Sequence, residues 1–140
     1  MRTFALTMVC ATAVLGLGAD SASAIAPFQV EFYKLYLTDH PDEEFVSYVK
    51  KQAKCNICHQ GKKPGPHHNA YGVHLVELLD AKADKKDKEK IKAALVKVSE
   101  MHSDPDDDKS PTYGELIAAS KLPGGDLEKS KEEPKDEEKK

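Results

Sequence analysis

The sequence predicts an all-α fold. Apolar residues recur at intervals of three and four in separate segments, and no stretch alternates apolar with polar residues as a half-buried strand does. Proline, glycine and clusters of charge punctuate those segments.

The first helix follows Pro27, with Phe28, Phe32, Leu35 and Tyr36 at helical spacing, and is expected to end near Thr38-Asp39. His40-Pro41-Asp42 breaks it, because a residue before proline is pushed out of the helical region. His40 is expected at the surface. Asp42 is placed to cap a second helix running through Ala53, with Phe45, Val49 and Ala53 on one stripe. Gly61 to His68 reads as loop, and Asn69 caps a third helix whose inner face carries Tyr71, Leu75, Leu78 and Leu79. Asp84 to Lys90 reads as a solvated turn of mixed charge. It leads into a fourth helix with Ile91, Leu95, Val98 and Met101 inside. Ser103 to Pro111 is an acidic loop, and Tyr113, Leu116 and Ile117 form a short fifth helix ended by Pro123-Gly124-Gly125. Residues 126–140 are nearly all charged and are expected to be a disordered tail.

Residues 1–24 have the grammar of an export signal: Arg2, an apolar run from Phe4 to Gly18, and the small residues Ala22-Ser23-Ala24 before a cleavage point. The apolar run, about 15 residues, falls short of the roughly 20 that span a bilayer. The cleaved chain is therefore expected not to be transmembrane and to work in the periplasm or another extracytoplasmic compartment. Residues 25–125 are left as the folded domain. So short a chain, 39% hydrophobic and without tryptophan, buries little core, and a bound cofactor would add stability. The 21 basic and 24 acidic side chains give a net charge of −3, and nothing in that balance suggests a nucleic-acid binder, which would need a concentrated basic surface. Oligomeric state is not legible.

Cleavage removes Cys10 and leaves Cys55 and Cys58, in the string Cys55-Asn56-Ile57-Cys58-His59. On a helical turn, positions i, i+3 and i+4 share a face, so two thiols and an imidazole are presented together. Attachment of a c-type haem requires those groups: two thiols that add to the vinyl substituents and an imidazole that binds iron. One covalent haem c is therefore expected, with Cys55 and Cys58 as thioether donors and His59 as the proximal iron ligand. The same cysteines would serve as half of a zinc site if His67 and His68, or His74, completed it. A thioredoxin-like dithiol would need a strand context that is missing.

Around this string the chain resembles the cytochrome c superfamily, most closely small single-haem c-type domains. The resemblance rests on Cys55–His59, on Asn69-Ala70-Tyr71-Gly72, on Pro111-Thr112-Tyr113-Gly114-Glu115-Leu116-Ile117 and on Lys121-Leu122-Pro123-Gly124. It spans roughly residues 28–125, but only the cysteine–histidine string is highly specific. It implies a small helical domain wrapped around one covalent haem, single-electron transfer between redox partner proteins, and no catalysis.

The distal side departs from that pattern, which usually supplies a methionine from a late loop. Met101 is the only methionine after the signal and lies in a helical stripe, as a core gap-filler would. His102 and His74 are the other distal candidates. His67 and His68 follow His59 too closely to reach the opposite face easily. An open distal position would instead suit a peroxidase-like haem enzyme or a sensor of small ligands. Asp104 to Asp108 lacks the glycine and glutamate of a calcium loop and reads as a solvated turn. Lys50, Lys51, Lys54, Lys62 and Lys63 flank the string and would steer an acidic partner, or simply face solvent.

Overall fold

The structure, a computed structural model, describes residues 27–61 and 66–134. The expected export signal and the end of the charged tail lie outside the described residues, as do Lys62 and Lys63. Among the described residues the fold is helical with no strand, and no helix is long and apolar enough to cross a membrane.

Six α-helices follow one another: α1 (Pro27–Tyr36), α2 (Glu43–Tyr48), α3 (Ala70–Leu78), α4 (Lys88–Ser99), α5 (Tyr113–Ala118) and α6 (Leu127–Lys131). Each start from α2 onward has a side-chain cap. Asp42, Asn69, Asp87, Thr112 and Asp126 accept from a backbone N–H one turn on, and Thr112 and Glu115 complete a capping box. α4 is the hub, packed against α1, α3 and α5. Its stripe Ile91, Ala94, Leu95 and Val98 is buried, and the Tyr36 hydroxyl donates to the Leu95 carbonyl at 2.9 Å. The phenol of Tyr113 likewise donates to the Ala70 carbonyl at 3.1 Å, joining α5 to α3. Phe32, Tyr71 and Tyr113 stack edge to face through the centre, with centroids 6.1 and 5.3 Å apart.

The second helix continues past Tyr48 as a π-helical turn to Ala53 and then a 3-10 turn over Lys54–Ile57. The expected stripe Phe45, Val49 and Ala53 is buried throughout.

Several expectations are corrected. α4 stops at Ser99, so Met101 is not in the helix; it is 36% exposed and does not fill a core gap. Tyr113 N–H takes the Met101 carbonyl and Ser103 N–H takes that of Pro111, and this pairing turns the chain out of the helix. α5 ends before Pro123-Gly124-Gly125, where Ser120 adopts a positive φ of 58°. His40 is not a surface bystander: its Nδ1 accepts Asp42 N–H at 3.2 Å, its Nε2 donates to the Ile117 carbonyl at 3.0 Å, and its ring packs on Phe45. The expected disordered tail begins instead with α6, whose Leu127 and Ser130 are buried.

The turn before α4 is not simply solvated either. Asp84 is buried and accepts both Asp80 N–H at 2.8 Å and Lys90 Nζ at 2.7 Å. The lysine bond, then the backbone bond, hold its carboxyl below the usual value of 3.8. A carboxyl depressed on folding stabilises the fold above its unfolded pKa and loses that contribution as pH falls through the folded one. Asp84→Asn should therefore be less stable than wild type at neutral pH, and the gap in melting temperature should close as pH falls below 3.8. A gap that persists undiminished in acid would refute the assignment.

Candidate haem-attachment turn

The string Cys55–His59 occupies a reversal between the π-helical turn and the loop that leads to α3. Cys58 N–H and His59 N–H both reach the Cys55 carbonyl, at 3.2 and 2.9 Å, which closes one tight turn. Both cysteines are free thiols. Lys54, immediately ahead, is held at φ 47°, a region costly for a residue with a Cβ, by about 1–3 kcal/mol. That kink ends the helix and turns Cys55 outward: Cys55 is exposed, whereas Cys58 is partly enclosed.

Below the turn lies the start of α3. Asn69 is 5% exposed and uses its whole side chain. Its Oδ1 accepts Gly72 N–H at 3.0 Å, and its Nδ2 donates to the Asn56 and Ile57 carbonyls at 2.9 and 3.1 Å. Asn69 N–H also reaches the Cys58 carbonyl at 3.0 Å. A Cβ at position 72 would collide with that same carbonyl oxygen, so the close approach of α3 requires glycine. The Asn69-to-Gly72 element is thereby explained as the seat of the turn. Gly72→Ala should cost about 3 kcal/mol or more of unfolding free energy by denaturant titration, and a loss below about 1 kcal/mol would contradict the contact.

His59 packs its ring on His68 at 4.7 Å, and the two residues form an isolated antiparallel bridge across the loop. Burial, and then the neighbouring His59, lower the pKa of His68 from 6.5, which favours its neutral form. His67 is exposed. Sequence reasoning placed both histidines on a loop and missed this stacking; only the return of the chain to Asn69 creates it.

The distal candidates are scattered. Met101 and His102 are exposed, and His102 Nδ1 donates to the Ser110 carbonyl. His74 is half-buried, with its ring 5.7 Å from Tyr113; its Nδ1 is buried, 4.0 Å from Glu77 Oε2, and makes no hydrogen bond. The Tyr71 hydroxyl, one turn earlier, is also buried and unbonded. Burial first, and then Cys58, push its phenol well above the ordinary range. Two residues near the thiols had no sequence signal. Tyr33 accepts from Gln29 at 2.7 Å and lies under Lys50, while Asn56 bonds three carbonyls. Burial raises the Tyr33 pKa, the Gln29 bond opposes it, and both cysteines add to the rise.

Lys50, Lys51 and Lys54 are exposed and make no ion pair among the described residues. The acidic stretch 104–108 is exposed, with Asp104 and Asp107 bonded to backbone N–H groups inside their own turn. No three His, Cys, Asp or Glu side chains converge as a metal-ion set among the described residues, so a zinc site gains no support. Cavities of about 310 and 390 Å³ lie beside His40 and Ile117 and beside Val30 and Lys85, and neither borders the turn. The fit to a haem therefore rests on donor chemistry: two free thiols and one imidazole on a single turn, seated on a buried base. Comparison of the chain with protein-family models, with curated proteins and with solved structures gives no significant match.

The two thiols differ in exposure. Burial, and then Cys55, push the Cys58 thiol up to about 12, so it stays protonated at neutral pH. In the folded, haem-free chain an alkylating reagent should modify Cys55 at least tenfold faster than Cys58, by mass spectrometry of quenched samples, and denaturation should abolish the difference. Equal rates in the native chain would overturn the enclosure of Cys58.

Proposed function

We propose that this chain is an exported single-haem c-type cytochrome that carries single electrons between redox partner proteins. The observation that supports the reading is the closed backbone turn that carries Cys55, Cys58 and His59, two free thiols and an imidazole within five residues. Helical surroundings, without a strand among the described residues, support it against a thioredoxin-like dithiol.

In this reading Cys55 and Cys58 hold the group as thioethers, and His59 supplies the proximal nitrogen. The group so held supplies a one-electron Fe(III)/Fe(II) couple. The chain's own contribution is positional. Asn69 and Gly72 fix the backbone of the turn, His68 packs on the His59 ring, and Phe32, Tyr71 and Tyr113 form the apolar base. The exposed side of Cys55, flanked by Lys50, Lys51 and Lys54, offers a route for electrons to an acidic partner. In this reading no residue is assigned acid–base or nucleophilic catalysis.

A second reading draws on the Tyr71 hydroxyl and His74 Nδ1, the two buried side-chain polar atoms without a hydrogen bond among the described residues. They would give a polar distal side to a peroxidase-like enzyme or a small-ligand sensor. Carbon monoxide separates the readings, because a six-coordinate low-spin carrier leaves its reduced spectrum unchanged on exposure to the gas.

Protein matured in an exporting host should give a haem-stained band that survives denaturing electrophoresis, with a c-type reduced spectrum. Cys55→Ala or Cys58→Ala should each weaken covalent retention, and His59→Ala should perturb the spectrum while both thioethers remain. A full-length wild-type protein that takes up no covalent haem would defeat the proposal.

A further inference from the structure

The described part of the charged C-terminal segment does not simply trail away from the molecule. α6 has only five residues, too short to be stable by itself, and it is capped by Asp126 and anchored by the buried Leu127. Its last turn lies against the attachment turn. The Ser130 carbonyl accepts Gly61 N–H at 2.8 Å and Asn56 Nδ2 at 3.1 Å. The same Asn56 amide donates to the His59 carbonyl at 3.2 Å and to the Gly61 carbonyl at 3.0 Å. Glu133 packs so closely on Gly61 that a Cβ there would meet its carboxylate, and Gly61 itself has a φ of 100°.

Asn56 therefore does something its place between the cysteines does not require. With one side chain it gathers the carbonyls of His59, Gly61 and Ser130, while its own carbonyl is held from below by Asn69. We propose that residues 126–134 form a strap that positions the attachment turn, with Asn56 as the positioning residue through which the strap acts on His59. The inference builds on the haem reading for its purpose, since a restrained His59 backbone fixes where the imidazole is carried relative to the two thiols. The restraint itself is a property of the haem-free chain. Losing the strap exposes the Gly61 N–H and frees one of the Asn56 acceptors, so the reversal from His59 to Gly61 should open locally before the rest of the fold does.

Two full-length variants test this. Leu127→Asp undocks the strap by placing a charge at its anchor, and Asn56→Asp keeps that anchor but replaces the donating amide by an acceptor, cutting its links to His59, Gly61 and Ser130. In the haem-free chain, both should accelerate hydrogen exchange at Gly61 N–H by about tenfold or more, with the Leu95 amide of α4 unchanged. In the haem-loaded protein, both should lower the urea concentration at which the low-spin Soret band is lost, while the helical circular dichroism transition stays in place. Unchanged Gly61 exchange, or equal acceleration at Gly61 and Leu95, would overturn the strap. Failure of wild type to bind haem would defeat the functional reading alone, because the exchange comparison needs no haem.

Discussion

The side-chain amide of Asn69 joins two parts of the molecule that would otherwise be independent: the reversal that carries the cysteines and the helical core beneath it. One oxygen caps α3 and one nitrogen serves two carbonyls of the turn. Capping alone contributes about 1 kcal/mol. Leaving buried carbonyls without a donor costs about 1–3 kcal/mol each, so the links to Asn56 and Ile57 outweigh the cap. They exist only because Gly72 lets the Cys58 carbonyl come down onto the helix.

From that junction the rest of the architecture follows. α3 sends Tyr71 into the centre, where it meets Phe32 from α1 and Tyr113 from α5, and α4 closes the group from the other side. The turn above is consequently mounted on a rigid base while its own backbone is kinked at Lys54. A strained position of this kind persists when its neighbours over-determine it, and here the bonds from Asn69 below and Ser130 beside it do so. The cost of about 1–3 kcal/mol at Lys54 is comparable to the cost of leaving one buried carbonyl of the turn unpaired, so the network can hold the kink. The result is an asymmetric pair of thiols, one outward and one enclosed.

Much of this was legible in the sequence, for local reasons. Periodicity gave the stripes Phe45–Val49–Ala53 and Ile91–Leu95–Val98, and Asp42 and Asn69 stood where caps belong. Local signals failed where long-range bonds decided the outcome. Met101 continues the α4 stripe in spacing, yet its carbonyl is taken by Tyr113 and the helix ends two residues earlier. His40 reads as surface beside a proline, but its acceptor on Ile117 lies 77 residues away. The charge of residues 126–134 conceals Leu127, one apolar anchor among lysines and glutamates. The partners of α6 in the Cys55–Gly61 reversal are the Gly61 N–H and the Asn56 side-chain amide, a pairing that carries no sequence signature. Asn56 was invisible for the same reason.

Within the haem reading, the distal candidates can be narrowed by burial and by backbone pairing. His68 stacks on His59 itself, so the two rings share one side of the turn. Met101 and His102 face outward because the chain from 101 to 113 pairs with itself, through Met101 to Tyr113 and Ser103 to Pro111. His74 alone among the named candidates projects from the helix that seats the turn and keeps a buried ring nitrogen without a hydrogen bond. A buried polar atom of that kind is costly unless something offsets it, and Tyr71 repeats the situation one turn earlier on the same helix. Within the haem reading, these two side chains are therefore the ones with unspent bonding capacity. Ligation by His74 would favour a lower reduction potential than a methionine ligand. That preference runs against the high-potential carrier that Met101 alone would suggest.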